Sequence, residues 1–412
     1  MTSRLGALLI VAACGDGATL PDAGLGSDGP PRGLVKVHVD GPIGESLRVW
    51  FQSASSSTVL ATKPDAAGNA SAWMEADGFV SIYGAPPSFN ILYTWTGVQP
   101  GDELTLDLST ERGGDAVPLA DVRIDPMEGA SSYYISSYCE PLTDVSLAID
   151  MAFAPFIKPC TSTSDLLVVA GTAFGIPLGY RFRANANISS GGTIDLRGPY
   201  SPFEATVEVT GPANDFVDVN SKLAGVEYEV ATSAQLAGTH VAVPVQMPVL
   251  PDETAQTIVR TLDFESEDGQ QRTVERTGVV WGPATRTTAV DVSMPIRKTS
   301  LPGIDLDTYS LVWSEESEGA PGDVVWAHLS LGGFQWVVIG ARTDATALRL
   351  PRLPNDLRLE RDSVLFGSLS LIVAEGGYER LRPYLLGHWS PSAGSWWPMK
   401  EASGRVSYRT VR

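Results

Sequence analysis

The stretch Leu34-Val35-Lys36-Val37-His38-Val39-Asp40 decides the fold of this chain. Valine occupies every second position, and lysine, histidine and aspartate stand between the valines. Because successive side chains of a strand point to opposite faces, this period of two predicts a half-buried β-strand. The valines are expected to face a core, and Lys36, His38 and Asp40 are expected to face water.

Similar alternation recurs in short runs to the end of the chain, separated by turn clusters such as Pro64-Asp65-Ala66-Ala67-Gly68. The chain has 41 glycines and 29 prolines, which mark turns and weaken helices. Only residues 378–386 have a helical pattern, and Pro383 should shorten it. The predicted fold class is all-β, with tandem β-sandwiches of immunoglobulin or fibronectin type after a signal peptide and a disordered linker.

Chain length requires several domains. At 412 residues the chain exceeds the size of about 250–300 residues at which single hydrophobic cores stop growing. Turn clusters and changes of pattern place the boundaries. We expect a signal peptide at 1–13, a linker at 14–32, and sandwiches at 33–112, 118–210, 211–298 and 299–412, the last with an aromatic-rich loop.

Two of the predicted units resemble known sandwich families. A turn and two strands of the first unit contain Thr62, Asp65, Gly68, Ala72, Gly78, Val80 and Ile82. This pattern resembles transthyretin-like or carboxypeptidase-regulatory domains. The second unit contains Val122-Arg123-Ile124-Asp125-Pro126, then Gly129-Ala130, Tyr133 and Ile135. It resembles fibronectin type III modules, without the tryptophan usual in their first strand. Both resemblances imply sandwich folds.

The net charge limits the classes of partner. Hydrophobic residues make up 43% of the chain and charged residues 19%, the balance of a folded globular protein. With 48 acidic and 29 basic residues, the net charge at pH 7 is −19. Such a charge repels phosphate backbones and anionic membranes, so nucleic acid is excluded as a partner.

The N-terminus has the features of an export signal. Arg4 precedes an apolar run over residues 5–13, which is too short to span a bilayer. The run ends in Val11-Ala12-Ala13-Cys14, which resembles the lipobox of bacterial lipoproteins. The resemblance implies lipidation of Cys14 and cleavage just before it. The alternative is a plain secretory signal with an incidental cysteine.

Residues 15–32 are rich in Gly, Pro and Asp, as expected of a flexible tether. Gly15 follows Cys14, and this favours the outer membrane over inner-membrane retention. Taken whole, the chain resembles the large lipoproteins of myxobacterial and related deltaproteobacterial genomes, which join a lipobox and an acidic linker to sandwich modules. That resemblance implies an envelope location, with the membrane contacted through the N-terminal lipid, and no particular activity.

The remaining cysteines, Cys139 and Cys160, form one candidate pair. In an oxidising compartment we expect them to be bridged. Closing a loop of about 20 residues would contribute roughly 3 kcal/mol through the lost entropy of the unfolded chain. The alternative is two buried free thiols.

A search for catalytic and metal sites in the sequence finds no diagnostic motif. The histidines His38, His240, His328 and His388 lie far apart and outside zinc-type spacings, so each is expected to be a strand or loop residue. The sequence contains no G-x-S-x-G elbow and no glycine-rich phosphate loop. No catalytic residue, metal ligand or cofactor is therefore predicted.

Acidic clusters could bind calcium, but a plainer interpretation is available. Carboxylates alternate over residues 263–268 before Gly269, and the residues that follow do not match an EF-hand. A solvated hairpin turn is preferred there. Asp305 and Asp307 could join a calcium site between domains, and a solvated turn is again the preferred interpretation.

Tryptophans suggest a recognition surface. Trp389, Trp396 and Trp397 lie in a segment rich in Ser and Gly, and indole rings stack on sugars or peptides. A second aromatic set in the first unit is Trp73, Tyr83, Tyr93 and Trp95. The alternative is that these rings complete sandwich cores. Adjacent residues of a strand face opposite ways, so either Trp396 or Trp397 should be exposed or in a contact.

Three functional hypotheses follow. The leading one is a membrane-anchored envelope lipoprotein with a structural or partner-binding role and no catalysis. The second is a glycan-binding protein that uses Trp389, Trp396 or Trp397 as a stacking platform. A remote third is an extracellular hydrolase, because carboxylates are plentiful in the sequence.

Overall fold

The fold is almost entirely β, which confirms the predicted class. The computed structural model describes residues 32–40, 46–56, 58–84, 91–107, 117–137, 140–145, 151–156, 163–187, 192–212, 216–223, 226, 228–236, 238–267, 270–331, 334–342, 346–354, 357, 364–386 and 404–411. Within these residues the chain forms 28 strands and one helix. No helix in this part of the chain is long and apolar enough to cross a membrane.

The first sandwich has seven strands: β1 (Arg32–Asp40), β2 (Arg48–Gln52), β3 (Leu60–Thr62), β4 (Asn69–Glu75), β5 (Gly78–Gly84), β6 (Ile91–Val98) and β7 (Glu103–Asp107). One sheet has the order β4-β1-β7, with β1 and β7 parallel, and the facing strands have the order β3-β2-β5-β6. Val35, Val37 and Val39 are buried between the two layers, as the alternation in β1 predicts.

The second sandwich repeats this strand order. Its strands are β8 (Val117–Arg123), β9 (Ser132–Ser137), β10 (Glu140–Val145), β11 (Met151–Phe156), β12 (Thr163–Gly171), β13 (Pro177–Asn187) and β14 (Gly192–Asp195). The sheets are β11-β8-β14 and β10-β9-β12-β13, and β14 runs parallel to β8. The second unit thus has the same strand order as the first sandwich.

The third sandwich repeats the order again. Its strands are β15 (Ala205–Thr210), β16 (Phe216–Leu223), β17 (Tyr228–Gln235), β18 (His240–Val245), β19 (Leu250–Glu267), β20 (Gln270–Ala284) and β21 (Thr287–Asp291). The layers are β18-β15-β21 and β17-β16-β19-β20. The sequence placed residues 205–210 at the end of the second unit, but β15 pairs with β18 and β21, so this strand opens the third sandwich.

The fourth sandwich is organised differently. Its strands are β22 (Gly303–Asp305), β23 (Ser310–Val312), β24 (Val324–Leu331), β25 (Phe334–Ala341), β26 (Ala347–Arg349), β27 (Val364–Ala374) and β28 (Gly404–Val411). The first, second and fifth strands form one sheet, with the order β22-β23-β26. The other four have the order β28-β27-β24-β25.

Three of the sandwiches share one continuous sheet of 12 strands. Antiparallel pairing of β20 with β28 joins the third sandwich to the fourth, and parallel pairing of β25 with β6 joins the fourth to the first. The tandem units expected from the sequence are therefore fused through backbone hydrogen bonds. Sheet edges that would otherwise be exposed become interior pairs.

Both faces of the continuous sheet are covered near its centre. Phe51 packs into the core of the first sandwich, whereas its neighbour Trp50 packs with Leu329 and Trp336 of the fourth. The second sandwich is attached separately, because Leu167 and Val169 of β12 join the core of the third sandwich. Its own core uses the other face of the same strand.

The helix α1 (Gly377–Leu386) closes the core of the first sandwich from a distant part of the chain. Leu381 and Leu385 are buried there, and the indole Nε1 of Trp95 donates to the carbonyl of Leu385 at 2.8 Å. Arg382 pairs with Asp102. Pro383 lies inside the helix without shortening it, because tertiary packing outweighs the local penalty.

Candidate functional site

Most residues that the sequence proposes as functional lie outside the described residues. These are Cys14, Cys139, Cys160, Trp389, Trp396 and Trp397. His388, expected to be a strand or loop residue, also lies outside the described residues. Their predicted roles stay predictions.

The second aromatic set is divided between core and surface. Tyr93 and Trp95 are buried in the core of the first sandwich. Tyr83 stacks on Trp50, with ring centroids 5.9 Å apart and an interplanar angle of 21°. Trp73 is the exception, because 66% of it is exposed. The core interpretation therefore holds for three of these four rings and not for Trp73.

Trp73 belongs to a surface that we call the β1 face, which consists of the outward side chains of β4, β1 and β7. The strand register places Trp73 beside Leu34, Ser71 beside Lys36 and Asn69 beside His38. On the other side of β1, Glu103 lies beside Lys36 and Thr105 beside His38. Period-two alternation puts these side chains on one face because Val35, Val37, Ala70, Ala72 and Leu104 occupy the other.

A groove of about 580 Å³ runs along the β1 face. It is lined by Lys36, His38, Lys63, Asp65, Asn69 and Glu103, among others. Lys36 Nζ lies 2.6 Å from Glu103 Oε1, and His38 Nδ1 lies 3.0 Å from Asn69 Oδ1. The groove is mixed in sign, since two lysines and two carboxylates line it.

The turn beside the groove is ordered by Asp65. Its Oδ1 accepts hydrogen bonds from the backbone amides of Asn69 at 2.8 Å and Ala67 at 2.9 Å. The amide of Asn69 is the main cause that lowers the pKa of the Asp65 carboxyl below its usual value. Gly68 has a φ of +83°, and an added Cβ would lie 2.1 Å from the carbonyl oxygen of Val39. Glycine is required here.

This arrangement suits a neutral polyhydroxyl ligand. An exposed indole provides a flat apolar ring, while amide, imidazole, carboxylate and ammonium groups provide hydrogen-bond donors and acceptors. The balance of cations and anions gives no preference for a charged ligand. Sequence reasoning named Trp73 within a set but did not single it out. The alternation of Ala70, Ala72 and Met74 in the predicted strand was the signal that Trp73 points outward.

The other polar candidates have structural roles. His240 and His328 lie on strands, as predicted, and so does His38 of the β1 face. Nε2 of His240 lies 2.7 Å from a carboxylate oxygen of Glu208. The carboxylate of Asp305 accepts from the amide of Asp307 and the hydroxyl of Thr308, and so caps its own turn. In the part of the chain that is described, no three His, Cys, Asp or Glu side chains form a group able to hold a metal ion.

The acidic stretch near residue 263 lies in a hairpin. Pairing of β19 with β20 extends to Glu267 opposite Gln270, which leaves two residues for the turn. This agrees with the preferred hairpin interpretation. The turn residues Asp268 and Gly269 lie outside the described residues.

Comparison with known proteins finds matches only among solved structures. No protein-family model matches the chain, and no curated protein matches it. One similar solved structure is the Bacillus anthracis TIE protein. The match covers 64% of this chain and 50% of the TIE protein, with 11% sequence identity and a TM-score of 0.15. Another is the pilus adhesin SpaC from Lactobacillus rhamnosus GG. That match covers 79% of this chain and 44% of SpaC, with 10% sequence identity and a TM-score of 0.11. Such low TM-scores carry no inference about function.

Proposed function

We propose that the chain is an exported lipoprotein of the cell envelope that binds a partner and has no catalytic role. The anchor is Cys14, which follows Val11-Ala12-Ala13 at the end of a short apolar run. One observation supports the binding role: the β1 face exposes Trp73 beside a groove of hydrogen-bonding side chains. The body behind that face is held by a sheet of 12 strands, so the surface is presented rigidly.

The location proposed is the outer membrane, on either its periplasmic or its cell-surface side. Metabolic labelling with radioactive palmitate tests the anchor, with Cys14→Ser as the matched control. We expect label in the mature wild-type protein and none in the variant. An unlabelled mature wild-type protein would contradict the proposal.

A glycan is the proposed partner chemistry. Trp73 offers a ring on which a sugar can stack, and Asn69, His38 and Glu103 offer groups that bond to hydroxyls. The segment with Trp389, Trp396 and Trp397 remains a second proposed platform. A protein partner is the alternative, because an exposed indole also suits a peptide chain.

A glycan array tests this proposal. We expect Trp73→Ala to weaken the binding of the best glycan by about tenfold, the value of one stacked ring. Phe216→Ala is the matched control, since Phe216 is 68% exposed on the third sandwich. Trp396→Ala and Trp397→Ala test the second platform. Absence of binding, or binding that survives all three tryptophan changes, would eliminate the glycan proposal.

The proposed export would also place Cys139 and Cys160 in an oxidising compartment. In an oxidising compartment we propose a disulfide between Cys139 and Cys160. Titration of the denatured, unreduced protein should find no reactive thiol once Cys14 is acylated. Two reactive thiols would contradict the bridge.

A further inference from the structure

The second sandwich carries an exposed apolar hairpin tip, defined here as residues 172–176, with the sequence Thr-Ala-Phe-Gly-Ile between β12 and β13. Phe174 is 91% exposed and Ile176 is 52% exposed. Single apolar side chains on a surface need no explanation. Phe174 and Ile176 are two large apolar side chains in the same short turn, so together they form an exposed apolar surface.

Four of the five backbone amides of the hairpin tip are hydrogen-bonded within the tip. Thr172 N donates to Ile176 O at 2.9 Å, and Gly175 N donates to Thr172 O at 3.0 Å. The hydroxyl of Thr172 accepts from Phe174 N at 3.3 Å and from Ile176 N at 3.2 Å. Gly175 has a φ of +73°, which glycine adopts at no steric cost. These bonds preorganise the tip, and the four bonded amides do not depend on water.

The base of the tip is joined to the neighbouring strand. Ser131 N donates to Gly171 O at 2.8 Å, and Ser132 Oγ donates to Thr172 O at 2.9 Å. These bonds occupy carbonyl groups that would otherwise need solvent.

The hairpin tip lacks charge in a strongly acidic protein. Residues 171–179 contain no ionisable side chain, whereas the whole chain has a net charge of −19. The adjoining loop, residues 126–130, adds Glu128 as its single charged side chain. A neutral apolar tip avoids the repulsion that the rest of the chain imposes on anionic surfaces.

We propose that the hairpin tip inserts into the interfacial region of a bilayer with zwitterionic headgroups. Four of the five backbone amides of this tip are already bonded within the protein, so moving the tip out of water leaves fewer polar groups unsatisfied. Phe174 and Ile176 supply the apolar area. The inference rests on the proposed lipid anchor, which would hold the tip near a membrane and make insertion a second, weak attachment.

The test measures, by flotation, the partition into phosphatidylcholine vesicles of the chain that remains after the expected cleavage, residues 14–412, carrying Cys14→Ser. The parent for comparison is Cys14→Ser alone, so that acylation plays no part. We expect Phe174→Ser with Ile176→Ser to lower the partition coefficient by about 10- to 100-fold, from the loss of two apolar side chains. Phe216→Ser is the matched control and should leave partition unchanged. Added salt should have little effect, because no charge pairing is involved.

Each other outcome overturns the inference. It fails if the parent does not float with vesicles, or if the tip variant floats as well as the parent. Self-association that disappears with Phe174→Ser in analytical ultracentrifugation, without vesicle binding, would assign the tip to a second copy of the chain. Palmitate labelling tests the lipid anchor, and vesicle flotation tests the hairpin tip. The two proposals can therefore fail independently of each other. Circular dichroism of the tip variant verifies that it is folded.

Discussion

The buried carboxylate of Glu315 offers the sharpest test of how the fourth sandwich is stabilised. Its side chain is 3% exposed and faces Arg342, which is 8% exposed, and Arg297, which is 31% exposed. Arg342 Nη2 lies 2.7 Å from Oε2, and Trp313 Nε1 donates to Oε1 at 2.7 Å. We predict that Glu315→Gln is strongly destabilising.

The size of this destabilisation depends on which contacts of Glu315 the glutamine amide keeps and which it loses. A glutamine can still accept the hydrogen bond from Trp313, and Arg297 can turn towards water. Arg342 cannot, so its guanidinium would stay buried without a counter-charge. Removing one partner of a buried pair costs about 3–5 kcal/mol, and the retained bond places this variant near about 3 kcal/mol.

The free energy of unfolding is measured from urea transitions followed by tryptophan fluorescence, since Trp313 lies at the site. Glu204→Gln is the matched control, because its pair with Arg286 is exposed on both sides. That control should lose less than about 1 kcal/mol. A loss for Glu315→Gln no larger than the control's would refute the reasoning.

The pH dependence gives a second measure of the same site. Burial alone would raise the pKa of Glu315, but the hydrogen bond from Trp313 and the pairing with Arg342 outweigh burial and lower it. A lowered folded-state pKa means that the stabilisation is present above the unfolded value of 4.5 and is lost as the pH falls through the folded-state pKa. The difference in stability between wild type and Glu315→Gln should therefore shrink on acidification below about pH 4.5.

Other predictions concern the turns and the contacts between sandwiches. Gly68→Ala should lower the free energy of unfolding in urea by more than about 1 kcal/mol, because the added Cβ would meet the carbonyl oxygen of Val39. Gly97→Ala should lower it by only about 1 kcal/mol, because Gly97 has a similar positive φ and nothing lies within 4 Å of the added Cβ. Equal losses would contradict the proposed clash. Trp95→Phe should increase hydrogen exchange in α1, because the helix loses an indole donor; unchanged exchange would count against that anchor. Tyr180→Phe should loosen the second sandwich from the third, since the hydroxyl of Tyr180 bonds to both backbone groups of Val249, and protease digestion between them should become faster.

Period-two alternation in the sequence predicts part of the candidate site on the β1 face. The pattern in β1 predicts which side chains face out, and the structure confirms this for Lys36 and His38. It does not predict that Asn69 and Glu103 lie on either side of them, because their strands pair with β1 from 31 and 67 residues away along the chain. Backbone hydrogen bonds hold these distant strands together, but every strand edge offers the same groups, so the sequence pattern does not indicate the partner.

The sequence by itself determined the all-β class, the period-two strands and the turns at Pro and Gly clusters, because these depend on neighbouring residues. The tertiary structure alone decided which sandwich β15 joins and that β20 meets β28 and β25 meets β6. The same structure kept Pro383 inside α1. The physical reason is that strand edges are chemically alike, so their pairing is selected by the packing of the whole molecule.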